Sequence, residues 1–147
     1  MPTVVSSIVI DRPIQDVFDV LTNVELLGRW FPADVEEHWT SPPPHGVGST
    51  RHAVITMLGR RSENDAVATV YEPPHRATMS GIGPDAPFVT TVECEPAESG
   101  TRVAVTTELR FQTVGQRMVG PLFANWYRRS WDRGLVELRR QMEAGTL

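Results

Sequence analysis

Lysine is absent from this 147-residue chain, and all 14 of its basic side chains are arginine. The absence excludes Schiff-base catalysis and a lysine-containing phosphate loop. Codon bias in a GC-rich genome is the plain explanation for it. Cysteine occurs once, which excludes an internal disulfide framework and a cysteine-rich zinc site, and fits a reducing compartment.

Long apolar runs are also missing. The uninterrupted apolar stretches are a few residues long, whereas a membrane-spanning helix needs about 20. The first ten residues hold no basic segment followed by an apolar run, so we expect no secretory signal and a cytoplasmic location. The 18 acidic side chains outnumber the basic ones, giving a net charge of −4 and a pI near 5.5. This balance argues against nucleic acid as a partner.

Motifs for metal or nucleophile chemistry do not occur. The histidines at 38, 45, 52 and 75 have neither helical pair spacing nor carboxylates at ligand spacing, so we expect no metal. The chain has no G-x-S-x-G elbow and no glycine-rich phosphate loop, so we expect no cofactor. Cys94 alternates with Thr90 and Val92, which predicts a buried, structural thiol.

The pattern of apolar residues predicts one α+β domain over 1–147. Strands are expected over 4–10, 35–40, 51–57, 66–71, 75–80, 88–95 and 102–111, with the clearest alternation in the last two. Two short helices, 14–21 and 24–30, follow the first strand. Apolar residues then recur at helical spacing as Phe123, Tyr127, Trp131, Leu135, Leu138 and Met142. We therefore expect a curved antiparallel sheet of about seven strands wrapped around a long C-terminal helix, with an apolar pocket where the sheet splays from that helix.

Three segments resemble the START-like helix-grip (SRPBCC) superfamily, and more closely its bacterial polyketide cyclase/dehydrase-like members. They are IVIDRPIQDVFDVL at 8–21, continuing to Trp30, then VYEPPHR at 70–76 and ESGTRV at 98–103. With the terminal helix, the resemblance covers essentially the whole chain. It implies the helix-grip fold and a cavity between the sheet and that helix.

The resemblance leaves the function open between three classes. The superfamily includes lipid and hormone carriers, aromatic polyketide cyclases and a chaperone-linked branch, which the segment at 21–31 also resembles. The first hypothesis is a protein that binds a small hydrophobic or aromatic molecule, lipid-like or polyketide-like. The alternatives are a cyclase or dehydratase that uses acid–base catalysis without a cofactor, and a chaperone-linked interaction module. A homodimer is compatible with each.

Candidate site residues follow from residue type and strand phase. Arg51, His52 and Tyr71 are the candidates for acid–base or carbonyl-polarising roles. Arg51 and His52 are neighbours in a strand and therefore point to opposite faces of the sheet. The phase of the strand leaves open which of them faces inward: His52 points outward if Ile55 faces inward. The apolar and aromatic candidates for the ligand pocket, each of which core packing would equally explain, are Trp30, Phe31, Ile55, Met57, Met79, Phe88, Phe111, Leu122 and Trp126.

Overall fold

A computed structural model describes residues 3–57, 59–83, 88–111 and 113–147, apart from the side chain of Met57. Within these ranges the chain begins with strand β1 (Thr3–Ile10), helix α1 (Ile14–Thr22), a 3₁₀ turn (Val24–Leu26) and helix α2 (Leu27–Trp30). It then forms six more strands and a long helix, namely β2 (Asp34–Trp39), β3 (Thr50–Met57), β4 (Arg60–Glu72), β5 (Arg76–Ile82), β6 (Phe88–Ala97), β7 (Gly100–Leu109) and α3 (Val114–Glu143).

The described strands form one antiparallel sheet in the order β1-β7-β6-β5-β4-β3-β2. The first strand therefore lies beside the last one, with Ile8 opposite Val103. Helices α1 and α2 connect β1 with β2, which lies at the opposite edge of the sheet. Strands β2 to β7 then follow one another as an antiparallel meander that returns to β1. This arrangement confirms the predicted α+β helix-grip fold with its long C-terminal helix.

Strand β4 is longer than predicted. It begins at Arg60 rather than at residue 66 and runs for 13 residues. Its first six residues, RRSEND, lack β-branched and aromatic side chains, so local propensity misses them. Pairing with β3 extends the strand, because each of these residues faces a β3 residue from Met57 back to His52.

The core lies between the inner sheet face and α3. Cys94 is 1% exposed on β6, and Val103 and Val105 are at most 1% exposed on β7. Leu135 and Leu138 of α3 are equally buried. The alternation predicted for the last two strands and the apolar stripe predicted for the helix are both confirmed.

Helix α3 begins at Val114, and Thr113 is its N-cap residue. The Thr113 hydroxyl accepts a hydrogen bond from the Gln116 backbone N–H at 3.0 Å. The Gln116 side chain in turn accepts from the Thr113 N–H at 3.3 Å, completing a capping box. Pro121 lies inside the helix, and Gly145 follows its end with φ 78°. No helix in the described part of the chain has the length and apolarity needed to cross a membrane.

The turn between β6 and β7 locks against the end of β1. Gly100 has φ +131°, and a Cβ there would lie 2.1 Å from the Ile10 carbonyl oxygen. The next residue, Thr101, is fully buried and donates its hydroxyl hydrogen to the Arg12 carbonyl at 2.8 Å. The GTR motif at 100–102 is thus explained by close backbone approach, which only glycine permits.

Candidate functional site

A cavity of about 330 Å³ lies between the curled sheet and the N-terminal half of α3. Helices α1 and α2 contribute Leu21 and Leu27 to its wall, and the 3₁₀ turn between them contributes Val24. Aromatic side chains from the sheet, from α3 and from the segments that lead into them supply much of the rest: Phe31, Trp39, Tyr71, Phe88, Phe111, Phe123, Trp126, Tyr127 and Trp131. A concave space with this lining is typical of small-molecule sites.

Strand alternation brings a few polar side chains to the same surface. Val35, Glu37 and Trp39 alternate toward the cavity along β2, and Arg51 and Ile55 do so along β3. Asn64 lies in the same row as Glu37, since both residues face Ala53 from opposite sides. Glu37, Arg51 and Asn64 therefore converge from three neighbouring strands.

Arg51 and Glu37 form a buried ion pair on this wall. Nε of Arg51 lies 3.4 Å from Oε2 of Glu37, and each side chain is only 8% exposed. The terminal nitrogen Nη1 of Arg51 donates to the side-chain oxygen of Asn64 and, at 3.3 Å, to its backbone carbonyl. Asn64 thus positions the guanidinium while Glu37 supplies the compensating charge.

Small neighbours leave room for the Arg51 side chain. Arg51 faces Ala66, which in turn faces Gly81 on β5. Above these small residues, the guanidinium carbon of Arg51 lies 5.4 Å from the centre of the Phe88 ring. The aromatic face adds a cation–π contact to the stabilisation of the buried cation.

Burial raises the pKa of Glu37 above its ordinary value of 4.5, and the nearby Arg51 charge only partly offsets this effect. The contact between Nε of Arg51 and Oε2 of Glu37 is an ion pair without a hydrogen bond. Within the described ranges, no donor forms a hydrogen bond with the Glu37 carboxylate. A desolvated carboxyl beside a fixed cation can exchange a proton at a higher pH than a carboxyl in water.

An aromatic cluster closes the cavity at the junction of α2 and α3. Phe31 and Trp131 line the cavity, with ring centres 5.2 Å apart at 74°. Trp30 packs against Trp131 at 5.7 Å and is 2% exposed. A Cβ at Gly134 would lie 3.3 Å from ring atoms of Trp30 and Phe31, so this glycine lets α3 approach the cluster closely.

The catalytic candidates separate onto two faces of the sheet. Arg51 and Tyr71 line the cavity. His52 points to the outer face, where its Nδ1 lies 2.8 Å from Asp65 and its Nε2 lies 3.4 Å from Glu63. These hydrogen bonds raise the pKa of His52. Its position on the outer face removes the geometric reason for considering it as a catalytic group.

Six of the apolar candidates line the cavity: Phe31, Ile55, Met79, Phe88, Phe111 and Trp126. Trp30 supports the wall from behind, as described above. Leu122 is 77% exposed and lies on the outer side of α3. The side chain of Met57 lies outside the described residues.

Glu37 and Asn64 are among the lining residues that the sequence patterns did not reveal, and they are the ones that contact Arg51. Glu37 occupies the middle of an inward-facing series, between Val35 and Trp39, so strict alternation along β2 was a usable signal. Asn64 lies in the polar first half of β4, where no strand was expected. Among the described side chains, no three potential metal ligands converge. Cys94 is buried outside the cavity lining, and burial raises its pKa to about 11.

Comparison with known proteins gives relatives over most of the chain. An uncharacterised protein of Mycobacterium tuberculosis strain H37Rv is 29% identical over 117 residues, covering 76% of this chain and 78% of the relative. The crystal structure of TTHA0849 from Thermus thermophilus superposes with a TM-score of 0.80 at 16% identity, covering 99% of this chain and 100% of that one. The solution structure of the Aha1 dimer from Colwellia psychrerythraea gives 0.70 at 19% identity, with both chains fully covered.

The two structural matches show a shared fold. The family model described as polyketide cyclase/dehydrase and lipid transport matches residues 1–143. That match includes every strand of the sheet, the cavity wall and all of α3. The chain therefore belongs to the polyketide cyclase/dehydrase and lipid transport family.

Proposed function

We propose that this protein binds a small hydrophobic or aromatic molecule, lipid-like or polyketide-like, between the sheet and α3. The observation that carries the proposal is the cavity of about 330 Å³, whose wall is mostly apolar and aromatic with polar groups gathered around Arg51. Small-molecule sites combine an apolar wall with a few placed polar groups in this way. Membership of a family that includes lipid transport supports it.

Tryptophan fluorescence provides the direct test, because Trp39, Trp126 and Trp131 line the cavity. We expect saturable quenching by members of a panel of fatty acids, steroids and polyaromatic compounds, together with a raised melting temperature. If no compound changes either signal, the proposal is wrong.

A pair of neighbouring substitutions separates cavity binding from surface binding. Ala68 of β4 is 5% exposed and lines the cavity, whereas Thr69 is exposed on the outer face. The variant A68F should fill part of the cavity and weaken binding at least tenfold, and T69F should leave binding unchanged. Equal affinities in the two variants would place the ligand elsewhere.

A cyclase or dehydratase function is the second candidate, and the Glu37–Arg51 pair is the observation that favours it. Arg51 can polarise a carbonyl oxygen, and a carboxyl with a raised pKa can remove or return an acidic proton. In that case E37Q should lower turnover of a poly-β-ketone substrate at least tenfold with folding intact. Binding without turnover would favour the carrier function.

A further inference from the structure

Arg51 has donor capacity that its described neighbours do not use. Its Nε faces Glu37, and its Nη1 donates to Asn64. In the described part of the chain, its second terminal nitrogen, Nη2, donates no hydrogen bond. A guanidinium has five N–H donors in a planar fork and binds two-oxygen anions well. The cation is therefore available to an acceptor that arrives in the cavity.

The cavity holds a single pair of opposite charges among its described lining residues. Glu37 comes from β2 and Arg51 from β3, while Tyr71 and Tyr127 add phenol groups from β4 and α3. The lining residues described on α1, α2, β5, β6 and β7 carry no ionisable side chain. An anion entering this space would meet one cation that is already balanced by one carboxylate.

Resting on the ligand-binding function proposed above, we propose that the preferred ligands are apolar molecules with one carboxylate group, held by Arg51, and that Glu37 takes up one proton from solvent as they bind. Two anions beside one guanidinium in a mostly apolar cavity repel each other, which favours protonation of one of them. Glu37 is the better candidate for protonation, because it lacks hydrogen-bond donors among the described residues and already resists ionisation. The ligand anion and one solvent proton thus enter together, and the charge of the complex equals that of the free protein.

Proton uptake makes a quantitative prediction. Where Glu37 is ionised in the free protein and protonated in the complex, affinity for an anionic ligand should fall about tenfold for each unit rise in pH. A neutral ligand of the same shape should show no such dependence.

The experiment compares naphthoate with naphthamide, which share shape and apolar area and differ in charge. Titration calorimetry from about pH 6 to about pH 9, in buffers of different ionisation enthalpy, measures both affinity and protons taken up. We expect wild-type protein to bind naphthoate at least tenfold more tightly at the acid end, with uptake approaching one proton. Naphthamide should be insensitive to pH.

Two variants with matched controls assign the groups. E37Q should abolish proton uptake and flatten the pH dependence for naphthoate, while E36Q changes an exposed outer-face neighbour and should behave as wild type. R51M should weaken naphthoate at least tenfold and naphthamide much less, with R102M on the outer face of β7 as control. If R51M does not fold, the comparison of naphthoate with naphthamide and the E37Q result still show whether Glu37 takes up a proton on binding.

Equal binding of the two probes, or naphthoate binding without proton uptake, would overturn this inference and leave the carrier function intact. Failure of both probes and of the wider lipid and polyaromatic panel would overturn the carrier function as well.

Discussion

Replacing Arg51 by methionine keeps a long apolar side chain but removes the charge opposite Glu37. At the observed separation of 3.4 Å, two unit charges attract by about 5 kcal/mol at an effective dielectric constant of about 20. Both side chains are 8% exposed, so solvent screens this attraction only weakly. We expect the lone Glu37 carboxylate to destabilise the R51M variant strongly at neutral and alkaline pH.

Protonation of Glu37 limits the destabilisation of R51M and makes it depend on pH. Burial already raises the pKa of Glu37 above 4.5, and loss of Arg51 removes the influence that lowers it. The folded state then binds a proton that the unfolded state has released, so stability is highest below the unfolded pKa and falls as pH rises through the folded pKa. The fall amounts to about 1.4 kcal/mol for each pH unit in this window.

The assay is urea denaturation of wild type, R51M, E37Q and the double variant, each at about pH 5 and about pH 8. The cycle should give a coupling energy of about 2–4 kcal/mol at the higher pH and less than about 1 kcal/mol at the lower pH. The control R102M should change stability by less than about 0.5 kcal/mol. A coupling below about 0.5 kcal/mol at the higher pH, or an R51M stability independent of pH, would refute the reasoning.

Three further predictions concern the surroundings of the cavity. G100A places a Cβ 2.1 Å from a backbone oxygen at φ +131°, and it should lower the free energy of unfolding in urea by roughly 2–4 kcal/mol. G145A, with φ +78° and open space around it, should lower the free energy of unfolding by about 1 kcal/mol. Equal losses in the two variants would contradict the steric argument. The Cys94 thiol, 1% exposed with a pKa of about 11, should resist a disulfide reagent in native protein and react at once in urea, and rapid native labelling would contradict its burial. D65N should lower the pKa of His52 in an NMR titration, because the hydrogen bond that His52 Nδ1 donates to the Asp65 carboxylate is the largest cause of its raised pKa. The variant should leave ligand binding unchanged. An unchanged His52 pKa would show that the contact is absent in solution.

Much of the fold was predictable because its signals are local. Alternation along the last two strands and the helical stripe ending at Met142 each need only a window of neighbouring residues. Prolines and glycines at the joints separated these elements. The early part of β4 was not predictable, because RRSEND has no strand propensity and is extended only by pairing with β3.

The candidate site was predictable only in part, for the same reason. Residue type identified Arg51 and part of the aromatic wall, but the phase of β3 was left open, so His52 remained a candidate until the structure placed it on the outer face. Glu37 was not singled out, because it lies in the short predicted strand at 35–40 next to a second glutamate, Glu36. Alternation places Glu37 on the same face as Val35 and Trp39, but its ion pair depends on the register of β2 against β3, which is not encoded near residue 37.

The sequence by itself thus determined most of the elements, their order and the apolar character of the interior. Tertiary structure alone decided that Glu37, Arg51 and Asn64 meet on one wall. The physical reason is register: three neighbouring strands must pair in one alignment, and a slip of one residue would turn these side chains to the opposite face. The cost of burying the charges of Glu37 and Arg51 is offset only in that alignment, because there the two charges lie beside each other and Asn64 accepts hydrogen bonds from Arg51.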